Sequence, residues 1–399
     1  MDTLRNLYKI GTGPSSSHTM GPKKAALIFK EKNIEADKFI VELYGSLAAT
    51  GKGHLTDFII KKTLGEEKTI VVFKPEVDYS YHPNSMKFFA YKEDEIIDEW
   101  LVFSVGGGEI RNLDEDRNGY TVDIYRHNNM EDILSYCNKK QISFYDYVIE
   151  CEGESIIEYG KLILDTMMKT VERGLVATGK LPGTLNINRR ANDFYKQYLE
   201  KNSASSLLFA ATLAASEENA SGGEMVTSPT CGASGVVPGI LYLCKELFKV
   251  DESKLIEGLL VGGLIGNIVK STGSISGAEV GCQGEVGVAC SMGAAAYTYI
   301  SEGDNNQIEY AAEIALEHHL GLTCDPVKGY VQIPCIERNA MSAKRAIDCA
   351  QFALMTDGNH YITFDDAIKT MVETGKDLHH KYRETSEGGL AKITEEDND

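Results

Sequence analysis

The cysteines in the C-terminal part of this chain are the residues best suited to chemistry. Seven of the nine lie between Cys231 and Cys349. Three of these, Cys282, Cys324 and Cys335, stand in runs rich in glycine and proline, with a proline two positions after Cys324 and another immediately before Cys335. A proline-ended loop holds a sulfur off a helix, where its thiolate can reach a metal, so we predict a thiolate metal site.

The spacing of these cysteines does not choose the metal. Cys324 lies 42 positions after Cys282, and Cys335 lies 11 positions after Cys324. Neither interval matches a zinc ribbon or a bacterial ferredoxin. Three thiolates on one iron–sulfur cluster would leave one iron free to act as a Lewis acid, which is a catalytic arrangement. We interpret five of the other cysteines as buried hydrophobic residues: Cys137, Cys151, Cys244, Cys290 and Cys349.

Small-residue segments near these cysteines could bind a ligand. Three glycine-rich loops, 219–235, 271–279 and 324–329, permit close backbone approach and offer amide donors. Near the N-terminus, Ser15, Ser16, Ser17, His18 and Thr19 precede a predicted helix. The amides and the positive dipole end of that helix would favour a carboxylate.

The elements that must position these residues differ between the two parts of the chain. Runs rich in β-branched and aromatic residues predict strands in the first 130 residues. Two helices are predicted between them, at Gly21–Lys32 and at His54–Leu64. The predicted strands are Phe39–Tyr44, Thr69–Phe73, Lys87–Tyr91, Glu99–Ser104 and Tyr120–Tyr125. We therefore predict an α+β domain over residues 1–130.

The remainder of the chain shows helical periodicity and almost no strand signal. We predict a helical linker over 131–154, an all-α domain over 155–390 and an acidic tail over 391–399. Leu255–Val269 is apolar on nearly every face, which is typical of a helix buried centrally. Because such helices need more cover than one small domain offers, we expect a homodimer.

Composition excludes several classes of protein. Of 399 residues, 59 are acidic and 40 basic, giving a net charge of −19 that does not suit a nucleic-acid partner. No apolar run is long enough for a membrane helix, since Glu257, glycines and Asn267 interrupt the best candidate. The opening MDTLRNLYKI lacks the apolar core of a secretory signal. We expect a cytoplasmic protein with reduced thiols and a small-molecule substrate.

Five sequence blocks carry a family resemblance. They are GPSSSHTMGP (13–22), LYGSLAATGKGHLTD (43–57), ENASGGEMVTSPT (218–230), GAEVGCQGEVGVACS (277–291) and KYRETSEGGL (381–390). Together they extend over nearly the whole chain. The sequence closely resembles the iron–sulfur-dependent L-serine dehydratases, or serine ammonia-lyases, in the form that fuses both domains.

This resemblance implies a specific site. A 4Fe-4S cluster would be held by Cys282, Cys324 and Cys335, with the remaining iron open to an amino-acid substrate. The N-terminal domain resembles the allosteric substrate-binding domain of some phosphoglycerate dehydrogenases. By the resemblance, we assign proton transfer to His54 or His127.

The resemblance also suggests the substrate contacts. We assign the substrate carboxylate to the Ser15–Thr19 loop. Thr230, Cys231 and Gly232 would lie near the substrate, where the family usually has Pro-Thr-Asn-Gly and this chain has Pro-Thr-Cys-Gly. Cys231 could replace that asparagine or could ligate the cluster. Many fused relatives have a cysteine shortly after the last block that caps the fourth iron, whereas this sequence continues with AKITEEDND. We expect a weak oxygen ligand there instead.

Three alternatives remain open at this stage. A pyridoxal-phosphate dehydratase would need a Schiff-base lysine beside a glycine loop, and Lys270 is the loose candidate. The same cluster chemistry could act on L-cysteine or L-threonine. A non-catalytic amino-acid sensor built on the N-terminal domain is the third, although the cysteines it would not need are present.

Overall fold

The N-terminal part alternates strands with helices. A computed structural model of the chain describes residues 1–112 and 122–392. The elements of this part are β1 (Ile10–Thr12), α1 (Gly21–Lys32), β2 (Lys38–Tyr44), α2 (Gly45–Ala49), α3 (Thr56–Leu64), β3 (Thr69–Lys74), β4 (Asn84–Lys92), β5 (Glu95–Gly106) and β6 (Glu109–Asn112). The predicted α+β character is confirmed.

One mixed sheet organises this region. Its strand order is β3-β2-β4-β5-β6, with β2 and β3 parallel and the other pairs antiparallel. Helices α1 and α3 pack on one face, where Phe29 contacts Phe88 and Trp100. Burial of these aromatic side chains stabilises the sheet region with a hydrophobic core of its own.

The rest of the described chain is almost entirely helical, as predicted. Its elements are α4 (Met130–Lys140), α5 (Phe144–Glu152), α6 (Ser155–Val176), α7 (Ala191–Lys201), α8 (Ala204–Ala220), β7 (Glu224–Val226), α9 (Val236–Glu246), α10 (Glu252–Thr272), α11 (Gly277–Val280), α12 (Val286–Ile300), α13 (Asn305–Glu317), α14 (Cys335–Leu354) and α15 (Phe364–Asp377). Helices α4 and α5, in the segment predicted as a linker, contribute buried side chains to the helical core.

Helix α10 lies at the centre of that core. Within the described residues it is the one helix long and apolar enough to cross a membrane, but 78% of its apolar window is buried inside the protein. Its residues from Leu255 to Val269 are nearly all buried. A single chain thus already buries this apolar helix. The need to cover it therefore gives no argument for a homodimer, which stays a prediction.

The N-terminal residues join the two regions. Leu4, Leu7 and Tyr8 are buried in the helical core, and the Tyr8 hydroxyl donates to Leu259 O at 2.8 Å. Strand β1 then pairs antiparallel with β7. The loop that follows β1, which contains Ser15–Thr19, is therefore held where the sheet region meets the helices.

Three local predictions are wrong in detail. A strand is predicted over 120–125, of which residues 120 and 121 lie outside the described residues. Residues 122–125 form no strand, and the Ile124 and Tyr125 amides donate to Met1 O instead of to a neighbouring strand. Helix α3 begins at Thr56 rather than His54, since Leu55 has a φ of 58°. Cys335 is the first residue of α14 rather than part of a loop. The predicted acidic tail lies outside the described residues from 393 onward.

Candidate functional site

Three cysteines from separate segments line one small cavity. Cys282 begins a single 3₁₀ turn, Cys324 lies in an extended segment bridged to Arg383, and Cys335 opens α14. All three line the same cavity and are buried. The cavity is also lined by Ser15, His54, Gly232, Glu285, Pro326, Val331 and Glu384. The cysteine group thus lies where the two regions meet.

The chemistry of these donors fits a thiolate-bound metal centre. One ligand atom from each of Cys282, Glu285 and Cys324 lies within 4.8 Å of the others. The pKa of the Cys324 thiol is raised by a hydrogen bond with Cys282 and by burial, and burial followed by the Cys282 charge raises that of Cys335. Deprotonating such neighbouring thiols is costly until a cation joins them. Thiolates are the ligands that iron–sulfur clusters and zinc prefer.

The ring orientation of His54 leaves one nitrogen free for chemistry. Nδ1 lies 3.1 Å from Thr50 O and, because a carbonyl only accepts, must carry the proton. Nε2 therefore presents a lone pair toward Glu384 Oε1, 3.9 Å away. Burial lowers the pKa of His54 to about 4. A neutral imidazole held in one tautomer is suited to accept a proton.

His18 is held in the opposite tautomer. Its Nε2 donates to Ser46 O at 3.2 Å, so Nδ1 accepts from the Ser17 hydroxyl at 2.8 Å. Burial lowers the pKa of His18 well below its usual value, with a further contribution from His54. The two rings lie with centroids 4.4 Å apart. His18 is therefore held neutral beside His54.

The Ser15–Thr19 loop forms the N-terminal wall of this pocket. Ser15 caps the turn Ser16–Met20 by accepting from the His18 amide at 3.1 Å. The Thr19 hydroxyl donates to His54 O at 2.8 Å. Ser15 itself lines the cavity. The structure thus brings this predicted loop to the cysteines and to His54.

Two carboxyl groups complete the pocket, Glu384 buried and Glu285 partly buried, and the sequence analysis did not single them out. Glu285 Oε1 accepts from the Thr230 hydroxyl at 2.9 Å, and its Oε2 lies 3.9 Å from Cys324 Sγ. Glu384 Oε1 lies 3.4 Å from His18 Nδ1. Burial raises the pKa of both carboxyl groups, and the charges of Glu285 and Cys282 raise that of Glu384 further. Both residues lie inside the sequence blocks that carry the family resemblance, and this position is the signal that could have pointed to them.

Not every predicted site residue lies in the pocket. His127 packs instead against Tyr136 and Tyr147, and its Nδ1 lies 3.1 Å from the Tyr147 hydroxyl. Thr230 reaches the pocket through Glu285, and Gly232 lines it directly. Cys231 is buried with its Sγ 3.4 Å from Met20 Sδ.

Two further side chains bear on the earlier assignments. His82 was not predicted, yet it is buried and its Nε2 lies 3.4 Å from Glu279 Oε1. A positive charge on His82 would lower the pKa of His18.

Lys270 lies away from the pocket, with its Nζ 3.0 Å from Asp2 Oδ2. The lysine that a pyridoxal-phosphate enzyme would need is therefore engaged elsewhere.

Comparison with known families defines the class of protein. A family profile described as serine dehydratase beta chain matches residues 3–67, and one described as serine dehydratase alpha chain matches residues 78–391. The two matches together cover both regions in one polypeptide, and the alpha-chain match includes strands β4 to β6 of the sheet. The fold and the site thus belong to a serine dehydratase with fused beta and alpha parts.

Full-length relatives make the assignment more specific. L-serine dehydratase 1 of Escherichia coli is 38% identical, with 98% of this chain and 99% of the relative covered. The L-serine dehydratase of Haemophilus influenzae is 39% identical over the same shares. That of Streptomyces coelicolor is 38% identical with 97% of each covered. The chain belongs to the L-serine dehydratase family, as the sequence blocks predicted.

Proposed function

We propose that this chain dehydrates L-serine to pyruvate and ammonia at a 4Fe-4S cluster held by Cys282, Cys324 and Cys335. The observation that carries the proposal is the convergence of three buried thiols with a histidine nitrogen that has no proton. The family supports the reaction, and the donor set supports the cluster. When bound, the cluster would supply a Lewis-acidic iron that makes the serine hydroxyl a better leaving group.

Residues of the chain abstract the Cα proton and orient the substrate. His54 Nε2 accepts the Cα proton, and Thr50 O keeps the ring in the tautomer that permits this. The Ser15–Thr19 loop orients the substrate carboxylate, with hydroxyls and amides at the pocket wall. Loss of water gives an aminoacrylate, which tautomerises and hydrolyses to pyruvate and ammonia. Burial of the pocket excludes bulk water from proton abstraction and dehydration, and the hydrolysis follows after the aminoacrylate has left the pocket.

Carboxyl groups would hold protons close to the leaving group. Glu285 is bonded to Thr230 and faces Cys324, so it lies on the cysteine side of the pocket. Glu384 lies on the histidine side, close to His18 and His54. Burial keeps Glu384 protonated at rest, and a positive charge formed at His54 would favour its ionisation, so that the resulting carboxylate would stabilise the imidazolium. Gly232 lines the pocket beside Thr230, whereas the Cys231 sulfur contacts Met20.

Substrate choice and assembly belong to the same proposal. L-Serine is favoured because the relatives carry that substrate in their names, while L-cysteine and L-threonine are the competing substrates. We also propose that the enzyme acts in the cytoplasm as a homodimer. Side-by-side anaerobic assays with the three amino acids decide among the substrates.

Single cysteine variants test the cluster assignment. Cys282→Ser, Cys324→Ser and Cys335→Ser should each lose most bound iron and all measurable activity, because serine is a harder and less acidic ligand. Cys290→Ser is the matched control, since Cys290 is buried in α12 with its Sγ directed at Ser342 O. Iron content and pyruvate release are measured under anaerobic conditions. Full activity in any of the first three variants would overturn the ligand assignment.

A further inference from the structure

The side chain that follows Cys282 uses its whole hydrogen-bonding capacity. Gln283 is fully buried. Its Nε2 donates to Val280 O at 2.8 Å and to Met371 O at 3.1 Å. Its Oε1 accepts from the Gly321 amide at 2.9 Å and from the Thr374 hydroxyl at 3.0 Å, whose single proton is shared with Thr370 O at 2.9 Å. An amide has two donors and two acceptor lone pairs, so none is left over.

These four bonds join three separate segments. Val280 ends α11, immediately before the Cys282 turn. Met371 and Thr374 lie on one face of α15. Gly321 lies three residues before Cys324 in the sequence. One side chain thus connects the segment of Cys282 with the segment of Cys324 and anchors both to a helix.

The backbone around Gln283 leaves little freedom for another arrangement. Gly281 has a φ of 74°, and a Cβ at this position would lie 2.7 Å from Leu322 O. On the other side, a Cβ at Gly375 of α15 would lie 2.7 Å from Val280 Cβ. The Cys282 turn is therefore pressed between α15 and the Cys324 segment, with the Gln283 amide at the junction.

We propose that Gln283 is a positioning residue that fixes the Cys282 and Cys324 sulfurs relative to each other. The inference rests on the proposed cluster. It assigns Gln283 no contact with substrate. Groups that orient metal ligands from outside the ligand set typically change metal affinity by about 10–100-fold when they are removed. The bonds of Gln283 act through the backbone on both sides of the site.

Gln283→Met tests this role because methionine keeps the length and apolar volume and removes all four bonds. Gln307→Met is the matched control. Gln307 also donates to two carbonyls, Leu354 O and Thr356 O, and its Oε1 accepts from the Asp304 amide, at the start of α13. It does not line the cysteine cavity. Both variants should lower the melting temperature of the cluster-free protein.

The distinguishing readouts are iron retention and the cluster spectrum. Wild type and both variants are reconstituted anaerobically, and the rate of iron loss to a chelator is measured for each. Compared with wild type, this rate should be at least about tenfold faster in Gln283→Met and unchanged in Gln307→Met. The electron paramagnetic resonance signal of the reduced cluster should shift only in the first. Thr374→Val, which removes one of the four bonds, should fold normally and show a smaller change in the same direction.

This design distinguishes failure of the positioning role from failure of the proposed function. Equal iron loss and equal spectra in Gln283→Met and Gln307→Met, or no change in Thr374→Val, would overturn the positioning role. If Gln283→Met does not fold, Thr374→Val alone decides. A wild-type protein that holds no sulfide after reconstitution would instead contradict the proposed function, before any variant is compared.

Discussion

At the scale of single residues, backbone carbonyls decide what the two pocket histidines can do. Thr50 O fixes the proton on Nδ1 of His54, and Ser46 O fixes it on Nε2 of His18. Both lone pairs face Glu384, but the Ser17 hydroxyl donates to His18 Nδ1, whereas no hydrogen bond within the described residues occupies His54 Nε2. Two histidines of similar burial therefore differ in tautomer and in hydrogen-bond partners, which no residue pattern reveals.

His54→Asn should lower turnover by about 10²- to 10⁴-fold, the usual contribution of a general base. Asparagine retains a polar group of similar size near Thr50 O but has no basic nitrogen. Iron content should stay at the wild-type level because His54 is assigned no ligand role. The measurement is pyruvate release per cluster, and wild-type turnover in this variant would exclude His54 as the base.

The same variant should change how stability depends on pH. The His54 pKa falls from 6.5 in the unfolded chain to about 4 in the folded one, so the unfolded chain binds more protons between these values. Stability from this group is present above pH 6.5 and is lost as the pH falls toward 4. Relative to His54→Asn, cluster-free wild type should lose about 2 kcal/mol between pH 7 and pH 5.

Urea unfolding of both proteins at the two pH values measures this difference. Glu285 and Glu384 have raised pKa values, so their contribution has the opposite sign, but they are present in both proteins. The difference between the two proteins in how the free energy of unfolding changes with pH therefore reports the contribution of His54. Parallel slopes would contradict a buried, neutral His54.

Sequence reasoning reached the site residues unevenly. Cys282, the Ser15–Thr19 loop and His54 lie in recognisable blocks, and Cys324 and Cys335 stand in runs that contain prolines. The structure places Ser15, His54 and the three cysteines around one cavity. His127 resembled a site histidine but packs among tyrosines. Glu285 and Glu384 were not singled out, because an acidic residue in a loop is ordinarily solvated and only the three-dimensional fold shows their burial.

At the scale of elements, glycines determine how closely the helices approach. On α6, a Cβ at Gly174 would lie 2.3 Å from Ala214 O, which is backbone of α8 and cannot yield. A Cβ at Gly160 of the same helix would meet Ile256 Cγ2 at 3.0 Å, and a side chain can give way. The two positions therefore differ although both glycines are helical and buried.

Gly174→Ala should destabilise the protein by about 1–3 kcal/mol through overpacking. Gly160→Ala, the matched control, should change stability by less than about 1 kcal/mol, because the gain in helix propensity offsets a mild contact. Denaturant midpoints of the two variants measure the difference. Equal midpoints would contradict the tight α6–α8 packing.

Helices were more predictable than the strands and turns. The predicted bounds of the helix Gly21–Lys32 agree with those of α1, because apolar spacing and polar ends act locally. The run 122–125 has strand-like composition but bonds to Met1 rather than to a neighbouring strand. Pairing partners are long-range, so composition alone could not reveal this outcome. Strands β1 and β7 are too short to leave a periodic signal.

At the scale of the whole molecule, the site exists only where the two regions meet. Ser15 and His54 come from the sheet region, and the cysteines come from the helical one. Leu4, Leu7 and Tyr8 fasten the start of the chain into the helical core, and the Ser46 hydroxyl donates to Glu384 O across the boundary. The predicted α+β region thus contributes side chains to the cavity that the cysteines line.

Anaerobic analysis of iron, acid-labile sulfide and pyruvate formation from L-serine tests the central claim most directly. The account predicts about four iron and four sulfide per chain, with pyruvate released in proportion to cluster content. The group Cys282, Glu285 and Cys324 could alternatively hold one divalent ion. A single bound metal without sulfide, or full activity in protein free of sulfide, would contradict a cluster-based dehydratase.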